Sequence, residues 1–338
     1  MKNPVLRWTL VTAAVLGIAI VVRVYLSKNG ADEASPTANV EQASLAPIAN
    51  QGKIGIPDPA PTPDLPAPDV PLALFVDELR ERAGRGEAAA GCRLAAELSR
   101  CHQLATRRAD HDRWLAERRR ALDDITDPAR RAELAGNIER ELAFREGQLG
   151  EFEAHCRDVP LPTAPDLGRI WRNAALAGDP AAMRHYASGN AFSWGNMLDV
   201  LPELATYRQE AERLALLGAE RGDLELALSL ASAYAPGGMD ARTLLQQAVE
   251  PDPAKALALY RHLQAALARS GNDDIRVARE VGDRIETLEA TLDPQGLERA
   301  SSLAAEMASR WQPLEVRGAR DLHAGGSLRP VDRRWCGR

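Results

Sequence analysis

Apolar residues run without a charge through TLVTAAVLGIAIVV at positions 9 to 22, give way to polar, prolyl sequence, and after Pro71 return at spacings of three and four. The three regimes predict three kinds of structure. Continued through Arg23 to Leu26, the first run reaches roughly the ~20 residues that span a bilayer as a helix. Arg23 is placed to snorkel to the interface, and Trp8 and Tyr25 bracket the segment as interfacial aromatics do. Lys2, Arg7 and the amino terminus precede the run, whereas Asp32 and Glu33 soon follow Lys28, so residues 1–8 are expected in the cytoplasm and the body outside. The sequence after the apolar core, RVYLSKNGADEA, lacks a small-x-small site near its end, which favours an uncleaved transmembrane helix at 9–26 over a cleaved signal peptide.

Residues 27–71 end in IPDPAPTPDLPAPDVP, where seven prolines from Pro57 to Pro71 hold the backbone near the polyproline conformation. A disordered linker is expected. Its prolyl end forms a stiff spacer of about 50 Å at ~3.1 Å per residue.

Beyond Pro71 one pattern recurs: a helix ending in small residues, a turn with Gly and often an acid, then a helix opening with Ala. It is present as ERAGRGEAAAGCRLA (81–95), RNAALAGDPAAMRHYA (172–187), LLGAERGDLELALSLASAY (216–234) and LQAALARSGNDDIRVA (263–278). The aligned glycines are Gly86, Gly178, Gly222 and Gly271, the last three 44 and 49 residues apart and the first separated by 92. Periods of this kind predict a solenoid of helix pairs, each burying its apolar face only against its neighbours. Asp179, Asp223 and Asn272 beside those glycines are expected to cap the helices that follow.

WRNAALAGDPAAM and the stretch from Tyr207 to Tyr234 resemble Sel-1-like repeats, relatives of the tetratricopeptide repeat: an aromatic, paired alanines, Gly-Asp, Ala-hydrophobic and a final Tyr. DPAKALALYRHLQAAL (252–267) is similar to the opening of a further repeat, with Asp252, Ala256 and Tyr260 in place, and LERASSLAAEMASRW (297–311) to a capping helix. The resemblance covers 166–312, and 72–102 more weakly as a first repeat. It implies a scaffold or adaptor that holds a protein or peptide on a concave surface. NAFSWGNMLD at 190–199 fits no repeat unit, and residues 313–338 are left as a C-terminal tail.

Residues 103–156 lack the repeat glycine and are dense in charge. Asp127-Pro128 reads as a cap followed by a first-turn proline, so a turn near 124–127 divides two long antiparallel helices. Leu134, Ile138, Leu142, Leu149, Phe152 and Cys156 form the seam of the second; Leu94, Leu98, Cys101, Leu115 and Leu122 form that of the first.

Four cysteines remain to be placed: Cys92, Cys101, Cys156 and Cys336. Cys92 and Cys101 share one helix, where nine residues at 1.5 Å rise separate them by about 13.5 Å, beyond the ~7 Å limit for a disulfide, and turn them to opposite faces. Two pairings survive: Cys101 with Cys156 plus Cys92 with Cys336, or the swap. Seam position favours the first, and a body outside the membrane favours disulfides altogether. The alternative is a metal or thiol-redox site built from Cys101-His102 and His155-Cys156. Neighbouring residues on a helix point about 100° apart, which works against that convergence.

Composition narrows the rest. Aromatics make up 4% of the chain, and Ala, Leu, Arg and Glu dominate, so an all-α fold is expected. Acids and bases are interspersed at a net charge of −6, which removes the basic footprint of a nucleic-acid binder. No nucleophile elbow, phosphate loop, dinucleotide fingerprint or zincin motif occurs. His111, His185, His262 and His323 stand singly and read as packing or surface residues, and Trp171, Trp194 and Trp311 as core. No enzymatic activity and no cofactor are expected. The sequence therefore points to a single-pass membrane protein with an extracytoplasmic helical-repeat body, periplasmic if bacterial, and self-association through the hairpin as a further possibility.

Overall fold

The computed structural model describes residues 64–67, 70–237, 243–270, 275–314 and 332–337. The expected transmembrane helix, most of the prolyl linker, Gly271, Asn272 and His323 lie outside the described residues, as does the side chain of Trp194. Among the described residues the fold is all-helical, without strands, and no helix is long and apolar enough to cross a membrane.

Twelve α-helices are described. α1 (Val76–Gly84) and α2 (Ala88–His102) form a first pair; α3 (Leu104–Asp123) and α4 (Pro128–Cys156) form the hairpin. There follow α5 (Ala164–Leu176), α6 (Pro180–Ala187), α7 (Leu201–Glu220), α8 (Leu224–Tyr234), the short α9 (Leu244–Ala248), α10 (Pro253–Ser270), α11 (Ile275–Thr291) and α12 (Pro294–Arg310). Each of α5 to α8 packs on its sequence neighbour, α10 packs on α8, α11 and α12, and α2 packs directly on α5. The hairpin is thus inserted between two helices that are neighbours in space.

The turns explain why the helices stop where they do. Gly178 and Gly222 adopt φ of 97° and 92°, the left-handed region that a side chain resists. At the second, Gly222 N–H donates to Ala219 O at 3.0 Å and Asp223 N–H to Gly218 O at 3.0 Å, the crossed bonds that close a helix end. The acids then start the next helix: Asp179 accepts from Ala182 N–H, Asp223 from Leu226 N–H, and Asp127 from Arg130 N–H. Pro128, Pro180 and Pro294 occupy first turns, where no N–H is missed.

Small residues let the body close up. A Cβ on Gly91 of α2 would stand 3.2 Å from the Ala174 Cβ of α5, so the helices meet almost backbone to backbone. Trp171, Tyr186, Tyr207, Tyr234 and Tyr260 fill the remaining space and are fully buried. The main core extends from Cys92 through α5–α12 to Cys336, and a second core joins α1, Leu94, Leu98 and Cys101 to Phe152, Cys156 and Val159. α2 lies between the two and serves both.

The hairpin departs from the expectation in one respect. Its first helix does not run on from Leu94: α2 ends at His102, Gln103 N–H donates to Arg100 O at 3.0 Å, and α3 begins at Leu104. That three-residue bond tightens the turn and separates Leu94 and Leu98, buried in the body, from Leu115 and Leu122, half-buried in the hairpin. No residue of α3 is buried, and on α4 burial is confined to Phe152, His155 and Cys156.

Candidate functional site

The four cysteines form two bonds at opposite faces of α2. Cys92 is bonded to Cys336, and Cys101 to Cys156, each with Cα atoms 5.5 Å apart. The first reaches across 244 residues and fixes the C-terminal turn against α2; the second ties the base of the hairpin. Two further contacts hold that turn. Gly337 N–H donates to the buried Asp179 at 3.0 Å, and Arg333 reaches Glu97 at 3.0 Å. Residues 332–337 are therefore part of the body.

Glu97 is fully buried and joins three elements: it accepts from Arg93 of its own helix at 2.7 Å, from Arg333, and meets His155 of α4 at 2.9 Å. Burial works against its charge, but the His155 hydrogen bond and the Arg333 and Arg93 guanidiniums outweigh it and hold the carboxyl below its usual range.

The Cys-His alternative is not assembled. Cys101 and Cys156 are bonded to each other, His155 faces Glu97, and His102 Nε2 lies 2.5 Å from Pro162 O. Among the described residues the one cluster with metal-ligand spacing is Cys92, Asp179 and Cys336, whose two sulfurs are joined in the first disulfide.

What the sequence did not indicate is a groove of about 1810 Å³ where the hairpin meets the body. The end of α2 and the hairpin supply Arg100, Gln103, Arg107, Gln148 and Phe152; the rest of the body supplies Leu167, Trp171, His185, Ser188 and the segment from Gly189 to Asn196. α9 and residues 332–334 complete the rim. The unaligned stretch thus has a place. Gly189, at φ 82°, ends α6 by the same crossed bonds as the repeat turns, and Phe192 then enters the core 5.3 Å from Tyr207 and 6.0 Å from Tyr186. One signal was available, the Ser-Gly-Asn after Tyr186, but no Ala-rich helix follows it to complete the repeat pattern.

On the floor His185 stacks on Trp171, ring centroids 4.0 Å apart, while Trp171 Nε1 donates to Ser99 Oγ at 2.8 Å. Burial alone pushes His185 down to about 3, so its ring is neutral at ordinary pH. His185 Nδ1 and Ser188 Oγ are buried without a hydrogen-bond partner among the described residues. On the wall the Arg100 and Arg107 guanidiniums lie 4.7 and 4.8 Å from the centre of the same Phe152 ring.

Comparison with protein-family models, with curated proteins and with solved structures finds no match to this chain.

Proposed function

We propose that the chain is a membrane-anchored scaffold or adaptor, with a body of Sel-1-like helical repeats outside the membrane that holds a protein or peptide partner in the groove. Residues 9–26 supply the anchor and the prolyl segment the tether. Two disulfides suit an oxidising compartment, the periplasm if the source is bacterial. The recurring Gly-acid turns, with each helix pair stacked on the next, support the repeat reading.

The groove carries the functional part. At about 1810 Å³ it exceeds the volumes of roughly 300–1,000 Å³ usual for small-molecule sites. Amides, hydroxyls and guanidiniums are spread along it, as suits a chain segment whose main chain needs partners along its length.

The test is a photo-crosslinking residue placed at Ser193, exposed on the rim, and separately at the exposed Glu286 of α11, in native membranes. A discrete protein adduct from Ser193 and none from Glu286 is expected. Adducts from neither position, or the same adducts from both, would contradict the proposal, and an adduct with a second copy of the chain would replace the partner by self-association.

A further inference from the structure

We infer that the groove selects an acidic peptide segment, whose carboxylates are received by Arg100 at the end of α2 and Arg107 on the first hairpin helix, α3. The inference rests on the groove being a peptide site and adds the chemistry of the occupant.

The two arginines differ from others nearby. Arg108 is paired with Glu153, Arg145 with Glu141 and Arg113 with Asp110. Arg100 is half-buried, and among the described residues its guanidinium makes neither an ion pair nor a hydrogen bond. Arg107 has a single long bond to Gln103 Oε1 at 3.4 Å. Both are instead held over Phe152, which orients them without neutralising them.

Their surroundings add positive charge. Burial and the neighbouring Arg333, Arg107 and Arg93 push the Arg100 guanidinium below its usual range, against the opposing charge of Glu97. Glu97 is already committed to Arg93, Arg333 and His155. Of the acids lining the groove, Asp332 is paired with Arg334, and Glu151 stands exposed at the rim. The wall therefore holds a half-buried Arg100 beside an exposed Arg107, two guanidiniums that repel one another, and carboxylates are the ligands whose planar geometry fits them.

A second observation concerns the floor. Ser188 and His185 are each about nine-tenths buried, line the groove, and keep one polar atom without a partner among the described residues. Burying a polar atom without a partner costs stability, and a peptide main chain carries both a donor and an acceptor for these two atoms. The neutral ring of His185 leaves the positive charge on the wall, so acidic side chains are read there while the main chain lies along the floor.

The test is panning of a random dodecapeptide library against the full chain, purified in detergent with both disulfides intact, and against the R100Q/R107Q variant. Enriched peptides should be rich in Asp and Glu, and a synthetic copy of the best should bind the variant at least about tenfold more weakly. Its affinity for the unaltered chain should fall with added salt. Circular dichroism shows whether the variant keeps its helices, and the R100K/R107K variant, which keeps the charge, should recover part of the binding. Enriched peptides without acids, or equal binding to R100Q/R107Q, would overturn the charge inference and leave the peptide groove standing. No enrichment at all would overturn both.

Discussion

The helical body and the hairpin are both built of Ala, Leu, Arg and Glu, yet they are stabilised differently. In the body, Gly91 meets Ala174 and the tyrosines of α6, α7, α8 and α10 are fully buried. In the hairpin, the seam residues Leu115, Leu122, Leu134, Ile138 and Leu142 are only half-buried, Phe144 is 61% exposed, and support comes from pairs such as Arg108 with Glu153 and from Arg145 over Trp114. Exposed ion pairs of this kind contribute little each. The body is the load on which the fold depends, and the hairpin is an arm whose base is fixed by a disulfide and whose wall closes the groove.

The largest expected effect that would break this contrast lies in the body. Trp171→Ala removes a side chain 1% exposed that contacts His185 and Ser99, and should cost about 3–5 kcal/mol in urea unfolding. A cost below that of any hairpin substitution would refute the assignment of stability. Next, replacing Cys101 and Cys156 together by Ala opens a loop of 55 residues and should cost ~2–4 kcal/mol. Hydrogen exchange in this variant should quicken in α3 and α4 first, with α7 and α8 still protected.

Acid should weaken the body at His185. Its value is lowered from 6.5 to about 3 by burial, so the folded state excludes a proton that the unfolded chain accepts. The contribution is complete above pH 6.5 and is lost as pH falls from there toward 3. Between about pH 7 and pH 5 the loss should be about 2 kcal/mol. His185→Phe, which keeps a ring on Trp171, should flatten that part of the pH profile; an unchanged profile would assign the acid sensitivity elsewhere. Ile138→Ala sits at the small end, since a half-buried seam residue should cost no more than about 1 kcal/mol by thermal unfolding.

Local signals made much of the fold legible. Gly-Asp turns marked α5 to α8, Asp127-Pro128 marked the hairpin turn, and the opposite facing of Cys92 and Cys101 followed from helix geometry, matching their placement in separate cores. The groove was not legible, because it depends on where α4 leans and on a C-terminal turn brought from Cys336 to α2, contacts no sequence period encodes. Arg100 and Arg107 were hidden for the same reason. In sequence they are two of 42 basic residues, and only the shared ring of Phe152, far along the chain, distinguishes them. Residues 190–199 did not align because, after the Gly189 turn, they carry Phe192 into the core instead of opening an Ala-rich helix.

Hairpin and body together are proposed to make one groove for a partner. Deleting residues 105–154 behind a short linker and repeating the Ser193 crosslink separates the two parts, with helix content and thermal unfolding of the body measured alongside. The body should still unfold cooperatively, and the Ser193 adduct should be lost with the hairpin. An adduct of undiminished yield on the shortened chain would contradict the shared groove.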